Sequence, residues 1–167
     1  FSQYLRLLAS AESIGDKFEV GAGIARALSA RVIGQRGALH VRRSIVVTQG
    51  GIRWCVPPWD NSFASAAPGE ENSPVVPELL RQMAASSRST CVDVGANLGY
   101  VCMTVAHRFP AKRVVAIEPI PWLAEALERT ATLNGFRRVT VVNRAAAPME
   151  FVDLSVPRLR GVWLSTL

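Results

Sequence analysis

The chain has 167 residues, of which 49% are hydrophobic and 19% charged, the balance of a packed domain rather than a disordered segment. No apolar run approaches the roughly 20 residues that span a bilayer, and FSQYLRLLAS lacks the basic start and long apolar stretch of a secretory leader. A membrane association is therefore not expected, and the chain reads as cytoplasmic. The formal charge of +6 raises the class of nucleic-acid binders, yet residues 1–90 hold ten basic and seven acidic side chains and residues 91–167 nine and six. Neither part is a basic tail, and nucleic acid is not the expected partner.

In chain order, Ile24, Leu28 and Val32 recur every four residues, which predicts an amphipathic helix over residues 18–33 ending near Gly34. A stretch rich in Val, Ile and Trp follows and is broken by Gly50 and Gly51, a pair able to supply the positive φ angles of a tight turn. It predicts a β-hairpin of Ser44–Gln49 against Ile52–Val56. PPWDNSFASAAPGEENSP reads as an irregular loop, after which Ser73 can cap a helix with Pro74 at its first position and Val76, Leu79, Leu80 and Met83 on its buried face. Residues 1–89 are thus expected to be a helical and hairpin preamble, with the second part of the chain running from 90 to 167.

From Thr90 the pattern sharpens. CVDVG is a short apolar run, a helix follows with Val101, Val105 and Phe109 on one face, and VVAIE is a second run. A helix from Pro121 with Leu123, Ala126, Leu127 and Ala131 inward ends at Asn134 and Gly135, and VTVVN is a third run. The order β-α-β-α-β with near-continuous apolar strands predicts a parallel sheet, hence an α/β Rossmann-like fold.

The candidate chemistry lies at the ends of those strands. VDVGANLGY places Asp93 at the end of one strand, Gly95 in the turn and Gly99 at the start of the helix, where glycines admit a ligand close to the backbone and the helix N-terminus offers N–H groups. Glu118 ends the next strand, where a carboxylate can accept hydrogen bonds from both hydroxyls of a ribose. A bland reading stands beside this: the glycines make a tight turn and Glu118 is a solvated strand-end charge. An acid on each of two successive strand ends favours the ligand reading.

The spacing Asp-x-Gly-x-x-x-Gly lacks the middle glycine of the dinucleotide fingerprint Gly-x-Gly-x-x-Gly. Its leading carboxylate suits a cationic amino group or sulfonium better than a pyrophosphate. At this point the chain resembles the FkbM family of S-adenosylmethionine-dependent methyltransferases, through VDVGANLGY and the Ile117-Glu118-Pro119 run, and more loosely through Glu71, SPVVPELLRQM, LNGF and VTVVNRAAA, about residues 45–155. The resemblance implies a class I methyltransferase fold, cut after about the third core strand, and S-adenosyl-L-methionine as cofactor. It implies that Asp93, Gly95, Ala96, Asn97 and Gly99 line the methionine and ribose end of the cofactor. Glu118 would hold the ribose and Pro119 and Ile120 flank the adenine. Asn143, Arg144 and Ala145 stand where relatives carry an Asp for the adenine amino group, so that at Ala145 backbone groups would substitute.

The same resemblance implies methyl transfer to a hydroxyl of a small metabolite or sugar, with no base or acceptor pocket identifiable and the chain expected to be an incomplete, inactive fragment. Two other readings stay open: a fragment of an NAD-binding dehydrogenase, and a non-catalytic remnant of the sheet. Tyr100 and Trp122 read as core or capping residues. His107 lies about 12 Å along the helix from Gly99 at 1.5 Å per residue and reads as a helix-end residue. Cys55, Cys91 and Cys102, odd in number and without Cys-x-x-Cys spacing, read as small buried apolar residues, and no metal centre is expected.

Overall fold

The structure, a computed structural model, describes residues 2–32, 43–57, 75–86 and 89–146. These fall in two compact units, residues 2–57 contributing to one and residues 75–146 to the other. The expected loop beyond Pro57, the Ser73 cap, Glu71, Gly34 and the segment from Pro148 onward lie outside the described residues.

The first unit holds helices α1 (Ser2–Ser10) and α2 (Ile14–Val32) and strands β1 (Ile45–Gln49) and β2 (Ile52–Val56). Helix α2 begins four residues before the apolar period predicts. Ser13 Oγ accepts the Asp16 N–H at 3.0 Å, an N-terminal cap that the wide spacing of the large apolar residues hides. The strands pair antiparallel with Gln49 opposite Ile52, so Gly50 (φ 60°) and Gly51 (φ 77°) are the two central turn residues, as expected. Val20, Ile45, Val47, Ile52, Trp54 and Val56 are its buried core. The Trp54 indole N–H is satisfied by the Gln49 carbonyl at 3.1 Å.

The second unit holds α3 (Val75–Ala85), β3 (Thr90–Val94), α4 (Tyr100–Arg108), β4 (Arg113–Ile117), α5 (Pro121–Leu133) and β5 (Val139–Val142). The three strands form a parallel sheet in the order β3-β4-β5, the expected Rossmann-like β-α-β-α-β arrangement. Cys91, Val114 and Ala116 are buried on one face. Val92 and Val94, pointing to the opposite face, are 56% and 61% exposed. In α4 the inward face is Cys102, Met103, Val105 and Ala106 rather than Val101, Val105 and Phe109. The start of the helix is packed tightly, Gly99 lying against Leu127 of α5 and beside Cys102 and Met103, and this packing turns those residues inward. The α5 face is as expected, with Ala124 and Thr130 added.

Candidate cofactor-binding site

The parallel register brings the two acidic strand ends together. Asp93 pairs with Ala116 and Val94 with Ile117, so Glu118 follows directly on the residue beside Val94. Neighbouring strands lie about 4.8 Å apart, which puts both acids at the same edge of the sheet. The turn between β3 and α4 is clamped to β4: the N–H groups of Gly95 and Ala96 both donate to the Ile117 carbonyl, at 2.9 and 3.0 Å. Three left-handed residues make that turn possible, Gly95 (φ 75°), Asn97 (φ 52°) and Gly99 (φ 86°). Asn is among the few side-chain-bearing residues that visit this region readily.

Gly95 and Gly99 are glycines for different reasons. A Cβ at Gly95 would meet nothing within 4 Å, so only the sign of φ demands glycine and the space above the turn is open. A Cβ at Gly99 would overlap Leu127 Cδ2 and stand 3.1 Å from Cys102 Sγ and from Met103 Cγ. Gly99 is therefore a glycine required by buried packing.

Glu118 is 3% exposed, which removes the reading of a solvated charge. Its Oε2 accepts the Asn97 N–H at 2.7 Å and its Oε1 the Ile120 N–H at 2.9 Å. The carboxylate thus ties the glycine turn to the β4–α5 turn. Asp93 Oδ2 accepts the Cys102 N–H at 3.1 Å, capping α4 from the neighbouring strand. Burial pushes the Asp93 carboxyl above its ordinary value of 3.8, and the hydrogen bonds from Cys102 pull it back only in part. Burial also pushes the thiols of Cys102 and Cys91 up, leaving them protonated and inert.

Hydrogen bonds therefore join Asn97, Glu118 and Ile120 directly, with Ala96 held against the end of β4. Pro119 and Ile120 are half-buried in the β4–α5 turn, and Ala145 is half-buried two residues beyond Asn143. Asn143 carries a role that the sequence did not assign. Its amide donates to the carbonyls of Glu118 and Pro119, at 2.8 and 3.0 Å, and so holds the turn that presents Glu118. Its place just after the third strand was the available signal. Tyr100 is half-buried in the first turn of α4, and His107 is exposed near its end, its ring 6.3 Å from that of Phe136. Among the described residues no helix is long and apolar enough to cross a membrane.

No protein-family model matches the chain, and no curated protein does. Among solved structures it is similar to P. horikoshii TYW2 in complex with MeSAdo, at 19% identity over 74% of this chain and 47% of that one, with a TM-score of 0.45. It is similar to M. jannaschii TYW2 in complex with AdoMet, at 21% identity over 62% and 45%, TM-score 0.42. A SAM-dependent O-methyltransferase of Thermotoga maritima is similar at 17% identity over 59% and 40%, TM-score 0.38. The chain spans less than half the length of each of these three structures.

Proposed function

We propose that residues 75–146 bind S-adenosylmethionine and that the chain belongs to an S-adenosylmethionine-dependent methyltransferase of the FkbM type, acting on a hydroxyl of a small metabolite or sugar. One observation carries the reading. A buried carboxylate, Glu118, and a half-buried one, Asp93, stand at adjacent ends of a parallel sheet beside a left-handed turn with open space above Gly95. A buried carboxylate is costly unless its charge is used. The cofactor offers an ammonium and a sulfonium to Asp93, and ribose hydroxyls to the carboxylate of Glu118. The backbone at Gly95, Ala96 and Asn97 would border the methionine end, Pro119 and Ile120 the adenine, and Ala145 the far side of the ring.

The bound cofactor would supply an electrophilic methyl group. The chain's own residues hold and orient it, since placing the acceptor oxygen in line accounts for most of the acceleration in such a displacement. No residue is assigned as base. Gly95 and Gly99 stand four residues apart with no glycine between them, a spacing that does not match the Gly-x-Gly-x-x-Gly dinucleotide fingerprint and disfavours the NAD reading. The reading of a non-catalytic remnant draws on a single observation, that both Glu118 oxygens already accept a backbone N–H.

Calorimetry with S-adenosylmethionine and S-adenosylhomocysteine tests the proposal. One site with a Kd in the micromolar range, about −8 kcal/mol, is expected. A cooperatively unfolding protein that gives no heat with either ligand removes it, and tighter binding of NAD favours the dehydrogenase.

A further inference from the structure

Helix α2 has two apolar faces, and only one is used by its own unit. Asp16, Val20 and Gly23 are buried on the inner side. On the outer side Ile14, Phe18, Leu28 and Val32 are 89%, 75%, 42% and 88% exposed, with Gly21 and Ala25 between them. At 3.6 residues per turn these six positions fall within about 80° of arc, and their spacing, 4-3-4-3-4, is that of a coiled-coil seam. Exposed apolar side chains in such a continuous stripe mark an interaction surface.

The stripe reads the same from either end. Ile14 stands as far from the N-terminal side of its midpoint as Val32 from the C-terminal side, Phe18 matches Leu28, and Gly21 matches Ala25. Large residues occupy both ends and small ones the middle. Two such helices crossing at the middle approach most closely at Gly21 and Ala25, and diverge toward the ends, where the large side chains fill the widening gap. A Cβ at Gly21 would meet nothing within 4 Å, so the middle of the stripe is open to a second backbone.

We propose that α2 is the interface of a two-fold symmetric dimer, in which the α2 helices of two copies of this chain pack antiparallel. Ile14 then meets Val32 of the second copy, Phe18 meets Leu28, and Gly21 meets Ala25. A self-matching patch of this kind is what an isologous two-fold interface requires. The antiparallel choice follows from the flanks. It sets Ile24 against the Ile24 of the second copy, whereas a parallel pair would set it against Ser29, and it opposes the two helix dipoles. The other flank, Gly15, Ala22 and Ser29, is small throughout, with the Arg43 guanidinium lying over Gly15 at its N-terminal end. Four large side chains from each copy bury on the order of 1,000 Å² in total, the lower edge of specific interfaces.

Sedimentation of the full chain at about 100 μM, well above a micromolar Kd, gives a dimer, and Phe18→Glu gives a monomer with an unchanged circular dichroism spectrum. Oxidation then reads the register. The double variant Phe18→Cys/Leu28→Cys forms a covalent dimer, while Phe18→Cys alone does not, because the two copies of position 18 lie about 15 Å apart along the helices. The native cysteines, all buried, stay out of the exchange. A monomer at that concentration, a dimer that survives Phe18→Glu, or cross-linking by Phe18→Cys alone overturns the proposal.

Discussion

The two units of this protein treat their carboxylates in opposite ways. In the first unit each described acid is answered by an arginine: Glu12 by Arg53 at 2.8 Å, Asp16 by Arg43 at 2.8 Å, and Glu19 by Arg26 at 3.4 Å. In the second, the surface acids Glu78 and Glu125 are paired in the same way, with Arg81 and Arg129. Asp93 and Glu118, at the strand ends, are instead held by backbone N–H groups. No cation stands within ion-pair distance of Asp93 among the described residues. An acid met by arginine has its charge absorbed by the fold, whereas a strand-end acid held by backbone N–H groups keeps a negative potential for a ligand.

The comparison can be broken most severely at Gly99. Gly99→Ala adds a Cβ into Leu127 at a positive φ, and overpacking with left-handed strain should destabilise the second unit by about 3 kcal/mol. Gly95→Ala meets only the strain and should cost about 1 kcal/mol. Urea titration of both variants checks the gap, and equal losses would show that the open space above Gly95 is misread.

Glu118→Ala is expected to weaken S-adenosylhomocysteine binding about 10- to 100-fold, from the loss of about 1.5–3 kcal/mol of charge-assisted hydrogen bonding. Glu125→Ala should leave affinity unchanged, since Glu125 is an exposed helix residue paired with Arg129. Calorimetry on the two variants reads the difference directly.

The pH response of the two units should run in opposite directions. The Asp93 pKa is raised on folding, so from pH 3.8 up to its folded value the native state holds more protons than the unfolded one. Across that window Asp93's contribution to stability falls as pH rises, and above it the full penalty remains. Asp93→Asn should therefore unfold at an equal or higher denaturant concentration near neutral pH while losing affinity for the cationic ligand. A variant that keeps full affinity would sink the assignment of Asp93.

Glu12 gives the smallest effect and the opposite sign. The hydrogen bonds of Arg53 and Thr48 hold its carboxyl below the ordinary 4.5, so its contribution is present above that pH and is lost as pH falls through the folded value. The pair lies near the surface, where such contacts are weak and salt-sensitive. Glu12→Gln should lower the melting temperature slightly at neutral pH and not at all in strong acid.

Much of the α/β unit was legible in residue order. CVDVG, VVAIE and VTVVN became β3, β4 and β5, because short apolar runs alternating with helical segments read as strands of a parallel sheet, even though Val92 and Val94 stay exposed on one face of β3. Gly50 and Gly51 located the hairpin, because few residues other than glycine accept consecutive positive φ angles. Asp93 and Glu118 could be picked out as a pair, because parallel strands of a β-α-β unit end on the same edge.

What residue order could not supply was how each group is met in three dimensions. That Glu118 is buried and bridges Asn97 to Ile120 depends on contacts 21 residues apart in one direction and two in the other. That Gly99 is there for Leu127 depends on how α5 packs against the start of α4. The start of α2 is set by the Ser13 cap, and the inward face of α4 by how that helix packs, neither of which periodicity alone supplies. Local chemistry determines which elements form. Only packing decides which side of each element is inside, and hence whether a charge is absorbed by the fold or held out for a ligand.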